Sequence, residues 1–138
     1  MTLFYLDASA LMKLVRSEPG TADLELFVGD ADMLSSELAV VELLRAARRA
    51  PSIDPRLDGA EILRTAGELL ESIALLPMDR EVLVCAANLD EPYLRALDAV
   101  HIASALSLDE LDAFVSYDDR QAAAARLAGL RTVSPGRP

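Results

Sequence analysis

The stretch Leu3-Phe4-Tyr5-Leu6-Asp7-Ala8-Ser9 decides the fold of this chain. Its short apolar run, rich in aromatic and aliphatic residues, predicts a buried β-strand. The strand ends on Asp7, and the apolar residues of segment 8–15 predict a helix directly after it. Ligands bind at such carboxyl ends of strands in open α/β sheets. Asp7 is therefore a candidate site residue, although an Asp at this position also serves simply as a helix N-cap.

Strands and helices alternate along the rest of the chain, and this alternation predicts the fold class. Further strands are expected at residues 33–35, 73–77, 113–117 and 130–133, and helices at residues 21–28, 37–49, 56–72, 80–88, 94–108 and 118–129, with a proline-rich break at residues 51–55. Strands joined by helices of this length pair in parallel through right-handed crossovers. The sequence thus predicts an α/β fold, a three-layer sandwich with a central parallel sheet flanked by helices. Residues 1–133 are expected to form a single domain and residues 134–138 a flexible C-terminal tail.

Composition limits the classes of function open to the chain. Its 138 residues are 52% hydrophobic and contain no apolar run long enough to span a membrane, so a soluble protein is expected. No secretion signal precedes Leu3, and the lone Cys85 cannot form an internal disulfide, which together predict a cytoplasmic protein. The net charge of −10 argues against general binding of nucleic acid through a basic surface. It does not exclude a nucleic-acid enzyme, because carboxylates approach phosphate when metal ions lie between them.

Four carboxylates do not fit the pattern of solvated helix faces. Two of them, Asp7 and Asp118, end predicted strands. The other two lie in apolar helices, Glu42 among aliphatic residues and Asp98 at the start of an Ala-Val-His-Ile-Ala run. Burying such groups without partners would raise their pKa values and destabilise the fold, and a divalent cation removes that conflict. Oxygen ligands suit Mg²⁺ or Mn²⁺, and a pair of such ions is a known device for cleaving phosphodiesters.

Each of these acidic residues also has a simpler structural interpretation. Glu42 is compatible with an outward-facing position at a helix edge, and Asp98 with a helix N-cap. Asp118 is spaced to form a capping box with Gln121. A cap and a ligand role are not exclusive.

Three further polar residues lie close to these carboxylates in the sequence. Ser9 and Ser116 either make local turn bonds to the backbone or hold a carboxylate as hydrogen-bond donors. His101 lies one turn after Asp98, but a lone His in an apolar helix is more often a hydrogen-bonded core residue. Metals that prefer oxygen rarely bind imidazole, so His101 is not expected to be a ligand.

Four segments of the chain carry a resemblance to a known family. They are Tyr5-Leu6-Asp7-Ala8-Ser9-Ala10-Leu11, Ser36-Glu37-Leu38-Ala39-Val40-Val41-Glu42-Leu43, Leu97-Asp98-Ala99-Val100-His101-Ile102-Ala103-Ser104-Ala105 and Phe114-Val115-Ser116-Tyr117-Asp118-Asp119-Arg120. In this order and spacing they resemble a PIN domain, the nuclease fold of VapC-type toxins from bacterial toxin–antitoxin pairs. The resemblance implies a catalytic and metal-binding set with supporting residues nearby, namely Asp7, Glu42, Asp98 and Asp118, supported by Ser9, Ser116 and Asp119. Of the adjacent pair, Asp118 is preferred as the ligand because it is nearer the strand end, and Asp119 is interpreted as a helix-start residue.

The same resemblance implies an activity and partners. The activity is that of a Mg²⁺- or Mn²⁺-dependent endoribonuclease, a hydrolase that cleaves structured RNA such as tRNA or rRNA. The implied partners are a second copy in a homodimer and a cognate antitoxin, which would place an Arg against the acidic pocket. A PIN-like module that only binds protein is one alternative. A phosphoacceptor signalling domain is another, but it needs a lysine late in the sheet, and Lys13 is the only lysine.

Overall fold

The computed structural model describes residues 1–138, which are built around a five-stranded parallel sheet with strand order β3-β2-β1-β4-β5. The strands are β1 (Leu3–Leu6), β2 (Asp32–Ser36), β3 (Ala74–Leu76), β4 (Ala113–Val115) and β5 (Thr132–Val133). The helices are α1 (Ala8–Val15), α2 (Thr21–Val28), α3 (Leu38–Ile53), α4 (Gly59–Ser72), α5 (Arg80–Ala87), α6 (Ala96–Leu106) and α7 (Asp119–Leu127). The predicted α/β fold with a central parallel sheet is confirmed.

Strand β1 lies in the middle of the sheet and pairs with β2 on one side and β4 on the other. From β1 the chain moves outward through β2 to β3, and then returns to the other side of β1 for β4 and β5. The strand order therefore reverses between β1 and β4. In parallel sheets, a crevice for ligands opens at such a switch point, beyond the carboxyl ends of the two strands.

The side chains of β1 alternate between two cores, one on each face of the sheet. Phe4 and Leu6 belong to the larger core, which also contains apolar side chains from α1, α2, α3 and α4. Tyr5 points to the opposite face, where its ring stacks on Phe114 with 5.3 Å between ring centroids. That second core is closed by α6 and α7. Helices on both faces of one sheet make the three layers that the sequence predicts.

The proline-rich break predicted at residues 51–55 is wrong in its first half, because α3 continues through Pro51 and ends at Ile53. Proline lacks the backbone N–H that would bond four residues back, but it lies in the last turn of the helix. The next residue after the helix, Asp54, still donates its N–H to the carbonyl of Ala50 at 2.9 Å. The apolar packing of the helix therefore outweighs a single missing hydrogen bond.

Two other helices begin later than the sequence pattern predicts. Helix α4 starts at Gly59, because the Asp58 side chain accepts hydrogen bonds from the N–H groups of Ala60 and Glu61. Helix α6 starts at Ala96. No helix of the protein combines the length and the apolar character needed to cross a membrane.

The last five residues, 134–138, are in contact with the rest of the domain. The hydroxyl of Ser134 donates to the carbonyl of Ser116 at 2.6 Å. The hydroxyl of Tyr117 donates to the carbonyl of Pro135 at 2.7 Å. These bonds connect the end of the chain to the residues that directly follow β4.

Candidate active site

The predicted site residues begin at the ends of β1 and β4, the two strands of the switch point. Asp7 directly follows β1, and Asp118 follows β4 after two intervening residues. Asp98 lies in the first turn of α6, and Glu42 lies in the second turn of α3. Four separate elements thus supply the four carboxylates.

The Asp7 carboxylate is buried, with 1% of the residue exposed, and is held entirely by uncharged donors. Oδ1 accepts from the Ser9 hydroxyl at 2.5 Å and from the Ala10 N–H at 3.0 Å, while Oδ2 accepts from the Ser116 hydroxyl at 2.5 Å. Burial raises the pKa of Asp7, and these hydrogen bonds oppose the rise only in part. The bond to Ala10 also makes Asp7 the N-cap of α1. The cap interpretation and the site interpretation therefore apply to the same side chain.

Ser9 and Ser116 connect the ends of β1 and β4. Besides donating to Asp7, the Ser9 hydroxyl accepts from the Tyr117 N–H at 2.9 Å. The Ser116 hydroxyl accepts from the Asp118 N–H at 3.1 Å. Ser116 thus makes a local turn bond and also holds the carboxylate. Ser9 holds the carboxylate, but its backbone bond is to the distant Tyr117 and is not a local turn bond.

Asp98 and Asp118 share one guanidinium, that of Arg95. Nε of Arg95 lies 3.2 Å from Oδ2 of Asp98, and Nη2 lies 3.6 Å from Oδ2 of Asp118. Burial raises the pKa of Asp98 and the nearby Asp118 raises it further, whereas Arg95 lowers it. Arg95 is not among the residues predicted from the sequence. The available signal was its position three residues before Asp98, a spacing that places both side chains on one helix face.

The capping roles considered for Asp98 and Asp118 differ in outcome. Asp98 is not an N-cap, because the N-cap of α6 is Arg95 and Asp98 lies inside the first turn. Asp118 is the N-cap of α7 and accepts from the Gln121 N–H at 2.9 Å. The reciprocal half of the capping box is absent, since the buried Gln121 side chain donates instead to the carbonyl of Asp98 at 3.2 Å. That bond ties α7 to α6 beneath the two carboxylates.

The Glu42 side chain is only 20% exposed and forms a hydrogen bond with His101, so it does not face outward at a helix edge. Nε2 of His101 lies 2.5 Å from Oε1 of Glu42, and the Tyr5 hydroxyl lies 2.7 Å from Nδ1 of the same ring. Only 1% of His101 is exposed, which confirms its prediction as a hydrogen-bonded core residue. The result is a chain of contacts from β1 through α6 to α3.

Asp119 is exposed and pairs with a residue near the C-terminus, not with Arg95. Its side chain is 94% exposed and pairs with Arg137, with 2.8 Å between Oδ1 and Nη1. It is the first residue of α7, as predicted for a helix-start residue. The structure thus places Asp118, and not Asp119, beside Arg95.

The lysine that a phosphoacceptor domain would need is absent from this crevice. Lys13 is buried in α1, where its ammonium donates to the carbonyl of Pro19 at 2.8 Å and to Glu18 at 3.3 Å. These bonds hold it in the turn between α1 and α2. The phosphoacceptor alternative therefore lacks its electrophile-stabilising amine.

The chemistry of the donor set fits a hard divalent cation. All four predicted ligands are carboxylates, and burial raises the pKa of both Asp7 and Asp98. One cation, the Arg95 guanidinium, already bridges two of the carboxylates. No three His, Cys, Asp or Glu side chains are close enough together in the structure to hold a metal ion jointly. The Arg95 side chain is 67% exposed.

The chain is similar to known proteins along nearly its whole length. The family model described as PIN domain matches residues 4–127. Ribonuclease VapC47 of Mycobacterium tuberculosis is 36% identical over 142 residues, covering 97% of this chain and 98% of the relative. Ribonuclease VapC46 of the same species is 36% identical over 138 residues, covering 98% of this chain and 99% of the relative.

Solved structures with the same fold also cover nearly the whole chain. VapBC2 from Rickettsia felis, bound to a DNA fragment from its promoter, matches with a TM-score of 0.70 at 10% identity, covering 97% of this chain and 99% of the other. PAE2754 from Pyrobaculum aerophilum matches with a TM-score of 0.66 at 23% identity, covering 96% of this chain and 84% of the other. At these identities the structural matches support the fold.

Proposed function

Because this chain belongs to the PIN-domain family, we propose that it is a metal-dependent endoribonuclease toxin of the VapC type, silenced by a cognate antitoxin. The observation that carries the proposal is the position of Asp7 and Asp118 after β1 and β4, the two strands of the switch point, with Asp98 linked to Asp118 through Arg95. Relatives named as ribonucleases, 36% identical over nearly the whole chain, support the same activity. The proposed substrate is structured RNA such as tRNA or rRNA, which implies that the protein acts in the cytoplasm.

The proposed ligands of Mg²⁺ or Mn²⁺ are the carboxylates of Asp7, Glu42, Asp98 and Asp118. Such an ion supplies an activated water and stabilises the leaving oxygen in phosphodiester hydrolysis. The chain's own residues provide the positioning. Ser9 and Ser116 fix both oxygens of Asp7, and His101 fixes Oε1 of Glu42. Gln121 holds the backbone of Asp98 in place against α7.

A purified preparation tests the activity directly. We expect the protein to cleave structured RNA with Mg²⁺ or Mn²⁺ and to stop when the metal is removed by EDTA. Asp98→Asn removes an anionic ligand with little change in volume and should abolish cleavage. Asp109→Asn, an exposed carboxylate without a hydrogen-bond partner, is the matched control and should cleave normally.

The alternative of a module that only binds protein gives a different result. Such a protein would bind an antitoxin and cleave no RNA with either metal. An Asp98→Asn variant with unchanged cleavage would likewise contradict the proposed role of the carboxylates.

Two protein partners are part of the proposal. The antitoxin is supported by the likeness to VapBC2, whose own description names the pair, and the net charge of −10 suits a basic partner. A homodimer is supported by exposed aliphatic side chains on two helices, Val41 on α3 and Leu83 and Val84 on α5. Light scattering tests the dimer, since a mass near the 14.9 kDa of one chain would contradict it.

A further inference from the structure

A cavity of about 570 Å³ opens beside the acidic site, and Asp98 forms part of its wall. It lies between α6, α7 and the loop that precedes α6. Arg95, which bridges the acidic residues, lines the same cavity. A molecule bound here would therefore touch the residues that hold the proposed catalytic carboxylates.

Arg120 provides a free positive charge in this cavity. It lies on the first turn of α7, is exposed, and has no ion pair or hydrogen bond to any other side chain. Arg95 and Arg120 are the two arginines that line the cavity. A free guanidinium next to a phosphodiester-cleaving site is suited to bind a phosphate group, which it contacts through two parallel N–H bonds.

Tyr93 provides an exposed aromatic face at the same cavity. Its residue is 89% exposed, and its backbone N–H is held by Oε1 of Glu91 at 3.1 Å. The adjacent wall is apolar, formed by Leu94 and by the exposed Leu127. An open ring beside an apolar wall is the surface on which an unpaired base stacks.

We propose that this cavity is a subsite for one unpaired nucleotide of the RNA, next to the bond that is cut. Arg120, with Arg95 at the boundary of the site, binds its phosphate, and Tyr93 stacks on its base. A base that stays paired in a duplex cannot stack on a protein ring, so only an unpaired nucleotide fits this subsite. The inference rests on the proposed ribonuclease function and deepens it.

The charges of the cavity favour RNA over an apolar protein helix as the occupant. A packed apolar helix would cover the Arg120 guanidinium and leave it without water or a hydrogen-bond acceptor, which is costly. Phosphate supplies that acceptor. The carboxylate of Glu91 keeps its negative charge, and its Oε1 is held by the Tyr93 backbone N–H at 3.1 Å.

The test measures binding of short fluorescent RNA in EDTA, which prevents cleavage without altering the protein. Tyr93→Leu should weaken binding of single-stranded RNA roughly ten-fold, the loss of one base stack, and leave binding of duplex RNA unchanged. Arg120→Gln should also weaken binding, and should lower the slope of log affinity against log salt by about 0.7, as expected for one lost phosphate contact. Arg80→Gln, an exposed arginine on α5 outside this cavity, is the matched control and should change neither quantity appreciably.

Three results would overturn the subsite. One is equal binding of single-stranded RNA by the Tyr93, Arg120 and Arg80 variants. Another is a Tyr93 variant that loses duplex and single-stranded binding alike. The third is weakened binding of a protein partner with RNA binding intact. Failure of the ribonuclease function itself is distinguishable, because the unaltered protein would then neither cleave RNA with metal nor bind it in EDTA, and both proposals would fall.

Discussion

The two halves of the acidic site hold their carboxylates in opposite ways. Asp7 is buried and held by two hydroxyls and one backbone N–H, with no salt-bridge partner. Asp98 and Asp118 are nearer the surface and share the guanidinium of Arg95. The Asp7 half has a fixed geometry set by neutral donors. In the Arg95 half, the two carboxylates are neutralised by one exposed side chain, that of Arg95.

The largest expected effect comes from removing the charge in the fixed half. Asp7→Asn should lower kcat/KM for RNA cleavage by about a thousand-fold, because the metal loses a buried anionic ligand. The free energy of unfolding of the metal-free protein should not fall with this substitution. Burial raises the pKa of Asp7 above its usual 3.8, so its contribution to stability is complete at lower pH and is lost as pH rises through the folded-state pKa.

Asn at position 7 does not ionise and keeps an oxygen for the cap. Without metal, Asp7→Asn should therefore be at least as stable as the unaltered protein at pH 7, and the difference should vanish near pH 3. Urea unfolding across this pH range measures it. If Asp7→Asn lost stability at pH 7 and still cleaved RNA at a near-normal rate, Asp7 would be a structural residue and not a metal ligand.

Metal binding should stabilise the folded protein by the next largest amount. At a free Mn²⁺ concentration one hundred times Kd, linkage predicts about 2.7 kcal/mol of added stability. The unfolding temperature followed against Mn²⁺ concentration measures this, with Asp7→Asn as the control in which the shift shrinks. No shift at millimolar Mn²⁺ would contradict a shared metal site.

Ser116→Ala should destabilise the fixed half by about 2 kcal/mol, since a hydrogen bond to a charged or buried carboxyl is worth more than an average one. It also removes an interaction that lowers the pKa of Asp7, so that pKa should rise further. Chemical denaturation measures the first effect. Ser72→Ala, which removes an exposed hydroxyl that donates to the Leu69 carbonyl, is the control and should change little.

In the Arg95 half of the site, Arg95→Gln should tighten Mn²⁺ binding several-fold, because the ion no longer competes with a guanidinium for Asp98 and Asp118. Its effect on metal-free stability should be below about 1 kcal/mol, as for other exposed ion pairs. Titration followed by Mn²⁺ electron paramagnetic resonance measures the affinity. Arg64→Gln removes an exposed ion pair on α4 and should leave the affinity unchanged. Weaker Mn²⁺ binding by the Arg95 variant would show that Arg95 supports the metal site and does not compete with it.

The smallest effect is expected at Asp119. Its exposed pair with Arg137 lies away from Arg95, so Asp119→Asn should cleave RNA within about two-fold of the unaltered rate and lose less than about 1 kcal/mol of stability. Asp118→Asn should lose activity under the same assay. Equal losses in the two variants would contradict the choice of Asp118 as the ligand.

Local patterns made the Asp7 half predictable from the sequence, whereas the partner of Glu42 depends on a tertiary contact. The strand before Asp7 and the serines near the strand ends are visible in short segments, and the structure joins them directly. The pairing of His101 with Glu42 joins residues 59 positions apart, a distance at which no sequence pattern specifies a partner.

Arg95 was missed for a different reason. The sequence pattern extended α6 back to residue 94, which hid the true N-cap and made Arg95 look like one more solvated charge. The end of α3 was also mispredicted from local sequence. Pro51 was expected to end the helix, but α3 continues to Ile53 because packing along the helix tolerates a proline in the last turn.

The hydrogen-bonded position of His101 makes this molecule easy to follow by spectroscopy. The chain has one histidine, and that ring touches both Tyr5 of the central strand and Glu42 of α3. Its carbon-bound ring protons should therefore give a single, unambiguous set of nuclear magnetic resonance signals from the middle of the domain. One titration series would report metal, RNA or antitoxin binding at the site without any introduced label.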